Sequence, residues 1–302
     1  MTNQSPKQDI YTRVTTRIIA ELEQGVRPWM KPWSVEHAAG RITRPLRHNG
    51  IPYRGVNVLL LWGEAMAKGY AAPLWMTYKQ SQELGAQVRK GEHGSLVVFA
   101  DRFTKTETND QGEAVEHAIS FMKGYTVFNV DQIDGLPAHF YAQPVNPLPL
   151  CERIEHADRF ITATSATIHH GGNQAYYAPS RDMIQLPTFE AFKDKESYYS
   201  TALHELTHWT RHEKRLARDF GRQRFGDEGY AREELVAELG SAFLCADLGI
   251  TPDIREDHAA YLGHWLKIIK DDKRAIFSAA AHAQRAADFL QQLQPTTTKE
   301  AA

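Results

Sequence analysis

The run His204-Glu205-Leu206-Thr207-His208 sets the tightest limit on what this chain can fold into. Two histidines four residues apart share one face of an α-helix, because about 1.5 Å of rise per residue leaves them roughly 6 Å apart along its axis. Glu205 is turned by roughly 100° from His204, which sets its carboxylate beside the same site as a general base toward water. Both histidines can then reach one metal ion. The pattern predicts a zinc-dependent hydrolase with His204 and His208 as ligands and Glu205 as the catalytic base, Mn2+ being the alternative ion. Leu203, Leu206 and Thr207 make an apolar flank separate from the histidine stripe, so the helix is expected to be half-buried.

A catalytic zinc takes three protein ligands and keeps one position open, so a later segment must supply the third. Tyr230 to Leu244 has the spacing of a buried helix, with Leu235, Val236, Leu239, Ala242 and Phe243 facing inward. Glu234 and Glu238 lie four apart on it, a like-charge pair that weakens a helix unless something positive sits beside it. A metal ion bound by one carboxylate, with a ligand histidine oriented by the other, removes that conflict. Glu234 is assigned as the ligand and Glu238 as the orienting carboxylate; the reverse assignment stays open.

Ala175 to Pro187 reads as paired short strands bounded by prolines, either a plain structural hairpin or a sheet edge able to bind extended substrate backbone. The glycines after His169-His170 mark a loop there.

At 302 residues the chain has room for two domains. The fold class expected is α+β, with breaks at residues 1–142, a proline-rich linker over 143–150, a mostly helical domain with a small sheet over 151–294, and a flexible tail over 295–302. In the first domain, Ile10 to Gln24 and Gly55 to Lys68 read as helices, and Ser81 to Leu84 as a short one. Gln87-Val88-Arg89 is expected to pair with Ser95 to Phe99 across a glycine-rich loop, and Tyr125 to Val130 reads as a further strand. Cys151 and Cys245 have no partner motif and read as inert thiols. With no apolar run of spanning length and no signal peptide, the expected place is the cytoplasm, away from membranes.

The formal net charge is −2, which argues against attraction of the whole protein to nucleic acid. Locally, Arg27, Lys31, Arg41, Arg44, Arg47 and Arg54 stand against Glu36 alone, and aromatic residues interleave with them. Rings beside cations suit single-stranded nucleic acid, whose bases stack while its phosphates pair. Arg27, Lys31, Trp33, Arg44, Tyr53 and Arg54 are the candidate contacts; tryptophans that anchor loops to the core are the competing explanation.

Arg27-Pro28-Trp29, Lys31-Pro32-Trp33, Tyr53-Arg54-Gly55-Val56-Asn57, Trp75-Met76-Thr77-Tyr78, Val88-Arg89-Lys90-Gly91-Glu92 and Val127-Phe128-Asn129 together resemble the amino-terminal domain of the ArdC antirestriction proteins. The resemblance continues through Tyr177-Ala178-Pro179, Asp182-Met183-Ile184, the His204 helix and Glu233 to Glu238. It implies a plasmid-type cytoplasmic protein with a single-stranded DNA-binding domain and a zincin-like metallopeptidase domain, protecting incoming conjugative DNA from host restriction. A host restriction-system protein is the candidate substrate, and the resemblance does not name the protein cleaved. The alternative is a protein that shields single-stranded DNA while its metal site is structural or dormant.

Overall fold

The computed structural model of the chain describes residues 9–29, 43–108, 114–141, 150–221, 227–252 and 258–295. The expected linker, apart from residue 150, and the tail beyond residue 295 lie outside them. The fold is α+β. Helix α1 (Ile10–Glu23) starts where the Asp9 side chain accepts the Thr12 amide, and it buries Val14, Ile18 and Leu22 in one stripe. Helix α2 (Val56–Lys68) is buried along most of its length and ends on Gly69, whose φ of 70° closes it in the left-handed region. Helix α3 (Tyr78–Glu83) opens on a capping box in which Thr77 and Gln80 exchange side chain and backbone bonds.

The main sheet has the order β1-β2-β5-β4, with β1 (Leu46–Arg47), β2 (Leu74–Met76), β4 (Ser95–Thr108) and β5 (Ala114–Asn129). The long β4–β5 hairpin stays in register from Ser95 opposite Val127 to Thr108 opposite Ala114. This corrects the expected short hairpin. Strand β3 (Gln87–Val88) pairs instead with β6 (Ile133–Asp134). The buried Gln132 amide donates to Glu92 Oε2 and to the His93 carbonyl at 2.9 and 3.0 Å, which draws the loop toward β6.

The second half of the chain has helices α4 (Leu150–Ala163), α5 (Lys195–Trp209), α6 (Glu228–Leu248), α7 (His258–Asp271) and α8 (Ala275–Gln292) and a three-stranded sheet of order β7-β9-β8, with β7 (Thr167–His170), β8 (Tyr176–Ala178) and β9 (Met183–Leu186), on which α5 packs. The β8–β9 pair is the expected hairpin. His169 and His170, expected in a loop, extend β7, whose parallel pairing with β9 satisfies their backbone.

One hydrophobic core runs through both halves of the chain, from Val14 and Trp62 to Phe243 and Trp265. Each large apolar side chain so buried contributes about 1.5–3 kcal/mol. Helix α5 is buried on all sides from Ser197 to Trp209, rather than half-buried, because α6 covers the face opposite the small sheet. Where α5 and α6 cross, a Cβ on Gly240 would lie 2.5 Å from Thr207 Cγ2. Among the described residues no helix is long and apolar enough to cross a membrane.

Candidate metal centre

Asp194 caps α5 by accepting the Ser197 amide at 2.7 Å, and the helix carries His204, Glu205 and His208 on one wall of a cleft of about 250 Å³. Helix α6 supplies Glu233 and Glu234, and β8 supplies Tyr176 and Tyr177. His204 Nε2 and His208 Nε2 are 3.1 Å apart, and each lies 3.5 Å from one oxygen of Glu234. Among the described residues, His204, His208 and Glu234 form the group of donors that can hold a metal, their ligand atoms all within 4.8 Å of one another. Two imidazoles and a carboxylate turned to one point fit a divalent cation.

Electrostatics bind the group together. Burial opposes a charge on His208, but the carboxylates of Glu234 and Glu233 prevail and raise it to about 10. Burial likewise raises Glu234, and His208 and His204 override it, holding the carboxyl far below its ordinary range. Glu238, one turn further along α6, is 2% exposed.

Glu233, given no role from the sequence, faces His208 Nδ1 at 3.1 Å. Arg218 grips both Glu233 oxygens at 2.8 and 2.7 Å and donates to the Thr207 carbonyl at 2.9 Å. Burial pushes Glu233 up, yet Arg218 and His208 bring it to about 2. Ala217, at a φ of 46°, turns the chain so that Arg218 points inward. The sequence signal available was a third glutamate on the buried helix, itself requiring a cation. A second network fixes the sheet edge: Tyr177 donates to Asp182 at 2.9 Å, and Arg215, which pairs with Asp182, lies 3.8 Å over the Trp209 ring. Tyr230 closes the cleft near Glu234; burial, then the Glu234 charge, raise its hydroxyl well above the ordinary value.

Among the described residues, two of the expected nucleic-acid contacts are buried. Arg44 is a correction: 7% exposed, it bonds Asp247 at 2.7 Å and Gln284 at 2.9 Å and stacks on Phe243, so no phosphate can reach it. Tyr53 is also a correction, being buried in the core at 8% exposure. Arg54 is exposed but paired with Asp288. Arg27 is half-buried beside the core residue Trp29, and Lys31 and Trp33 lie outside the described residues.

A family model described as "Zincin-like metallopeptidase" matches residues 155–282, and one described as "N-terminal domain of anti-restriction factor ArdC" matches residues 8–128. The chain is 46% identical to the protein y4eC of Sinorhizobium fredii, over 96% of this chain and 93% of that one. It is 40% identical to a DNA primase TraC of Escherichia coli over 98% of its own length, spanning 29% of the primase. Among solved structures, the metal-free antirestriction ArdC protein from the R388 plasmid matches with a TM-score of 0.78 and 47% identity, over 95% of this chain and 98% of that one. The Mn(II)-bound form of that protein matches with a TM-score of 0.77 and 43% identity, over 96% and 100%. The Mn(II)-bound relative and the zincin-like domain support a divalent metal here as well.

Proposed function

This chain belongs to the ArdC antirestriction family, and from that premise we propose that it protects incoming conjugative DNA by binding it single-stranded and by hydrolysing a host restriction protein at a zinc site. The observation that carries the hydrolytic reading is the convergence of His204, His208 and Glu234 in a cleft that Glu205 also lines. His204, His208 and Glu234 would hold the ion, zinc by its fit to imidazoles with Mn2+ as the alternative. Bound there, a divalent cation supplies a Lewis acid that polarises a carbonyl and makes water more acidic.

The chain's own groups do the rest. Strand β8 is an edge of its sheet, and an extended peptide can add to it as a further strand beside the cleft. Glu205 takes the proton of the attacking water and passes it to the leaving amine. Tyr230, held protonated by its surroundings, donates to the oxygen on which charge develops. Glu233 accepts the His208 Nδ1 proton, which leaves Nε2 turned toward the ligand group.

Metal analysis of purified variants tests the site. Glu234→Ala is expected to lose the ion that the wild type retains after dialysis, whereas Glu238→Ala keeps it. The opposite pattern would exchange the two roles, and retention by both would remove Glu234 as a ligand.

Protonation gives a second test. A ligating imidazole nitrogen cannot keep its proton, and His208 raised to about 10 is charged at neutral pH before metal arrives. Metal binding at pH 7 is therefore expected to release about one proton per site, and affinity to climb as pH rises toward 10. Calorimetric titration in buffers of different ionisation enthalpy measures this; identical heats in all buffers would contradict it.

A further inference from the structure

We propose that the single-stranded DNA lies on the aromatic face of the β4–β5 hairpin, stacked on Phe99 and Tyr125 with Lys123 and Arg47 beside its phosphates. The proposal rests on the reading of this chain as a single-stranded DNA binder and gives that reading a site.

The register builds the surface. Directly opposed residues of an antiparallel pair share a face, as do residues two apart along one strand. Phe99 stands opposite Lys123, Val97 opposite Tyr125 and Asp101 opposite Phe121, so three rings and an ammonium group project on one side. Phe99 and Tyr125 are 47% and 45% exposed. Their centroids are 6.3 Å apart, Phe99 and Phe121 are 6.2 Å apart, and Lys123 Nζ lies 5.3 Å from the Phe121 centroid. At its lower end the face runs into a cleft of about 350 Å³, whose far wall carries Arg47, His48 and Tyr53, the Arg47 guanidinium 5.6 Å over the Tyr53 ring.

Large rings left in water on a sheet face call for a planar apolar partner, and cations at the border of the same face call for a polyanion. Single-stranded DNA is both, since its bases expose π-faces and its backbone carries one charge per nucleotide. A duplex keeps those faces stacked inside. A peptide adding as a strand would use the β4 edge rather than the rings on the face. Asp101, opposite Phe121, is an acid on this side, farther along β4 from the Arg47 cleft than Val97 and Phe99.

Anisotropy titration of labelled oligo(dT) with the full chain tests the assignment. Phe99→Ala with Tyr125→Ala is expected to weaken binding at least about tenfold, since two stacking platforms are lost. Lys123→Ala, on an exposed side chain, is expected to make the salt slope shallower by about 0.7, one phosphate contact. Phe99→Tyr, which keeps the ring, is expected to bind as the wild type does. If the wild type binds oligo(dT) and neither the double variant nor Lys123→Ala differs from it, this surface is wrong while the binding reading stands. If the wild type does not bind oligo(dT), the binding reading fails and the surface with it.

Discussion

Glu205→Gln is expected to cut peptide hydrolysis by about 10²–10⁴-fold while the metal content stays that of the wild type. Glutamine keeps the size of the side chain and a hydrogen-bonding oxygen but cannot take up a proton at neutral pH. Glu205 stands outside the ligand group of His204, His208 and Glu234, so the exchange leaves the donors in place. Two measurements on one preparation decide the matter: turnover of a fluorogenic peptide mixture by the metal-loaded protein, and metal per chain. Loss of both would make Glu205 a structural or ligating group. Full turnover in the variant would remove it as the base. Conjugative transfer into a restricting host then separates the two family readings, because protection that survives Glu205→Gln undiminished belongs to DNA shielding rather than to proteolysis.

Arg218→Leu is expected to lower folding stability by about 3–5 kcal/mol, because it leaves a buried carboxylate without its cation. Arg218 and Glu233 are 4% and 2% exposed, so solvent does little to screen the loss. The double variant Arg218→Leu with Glu233→Leu is expected to recover much of the stability, since two apolar side chains can replace a buried ion pair. It should still bind metal about 10–100-fold more weakly than the wild type, having lost the carboxylate behind His208. Urea denaturation of the metal-free proteins and metal competition titrations measure the two effects; a single variant as stable as the wild type would refute the first. Acid should act on the same pair. Glu233 is held at about 2 against an ordinary 4.5, so its contribution is complete above pH 4.5 and fades as pH falls toward 2.

How far the sequence could be read follows from which forces leave a periodic trace. Helices were legible, in the site and outside it: the four-residue spacings of His204 and His208, and of Val14, Ile18 and Leu22, survive in any context. Glu234 was legible because like charges on an apolar helix demand an explanation. The β4–β5 hairpin was not, since Ala100 to Thr108 carries no alternation of apolar and polar residues to announce a strand. Arg44 misled for a related reason. A cation that binds solvent phosphates and one that clamps Asp247 have the same local sequence, and only packing distinguishes them. Glu233 and Arg218 were hidden because their partnership spans a loop, with no spacing rule to announce it.

Gly240 is no part of the ligand group, yet it decides how wide that group can be. Thr207 belongs to the helix of both histidines and Gly240 to the helix of Glu234, and the two elements touch where the glycine offers only a hydrogen. Any side chain there would wedge them apart and carry the carboxylate away from the imidazoles. The gauge of this centre is thus set at a crossing outside the cleft, by the smallest residue available.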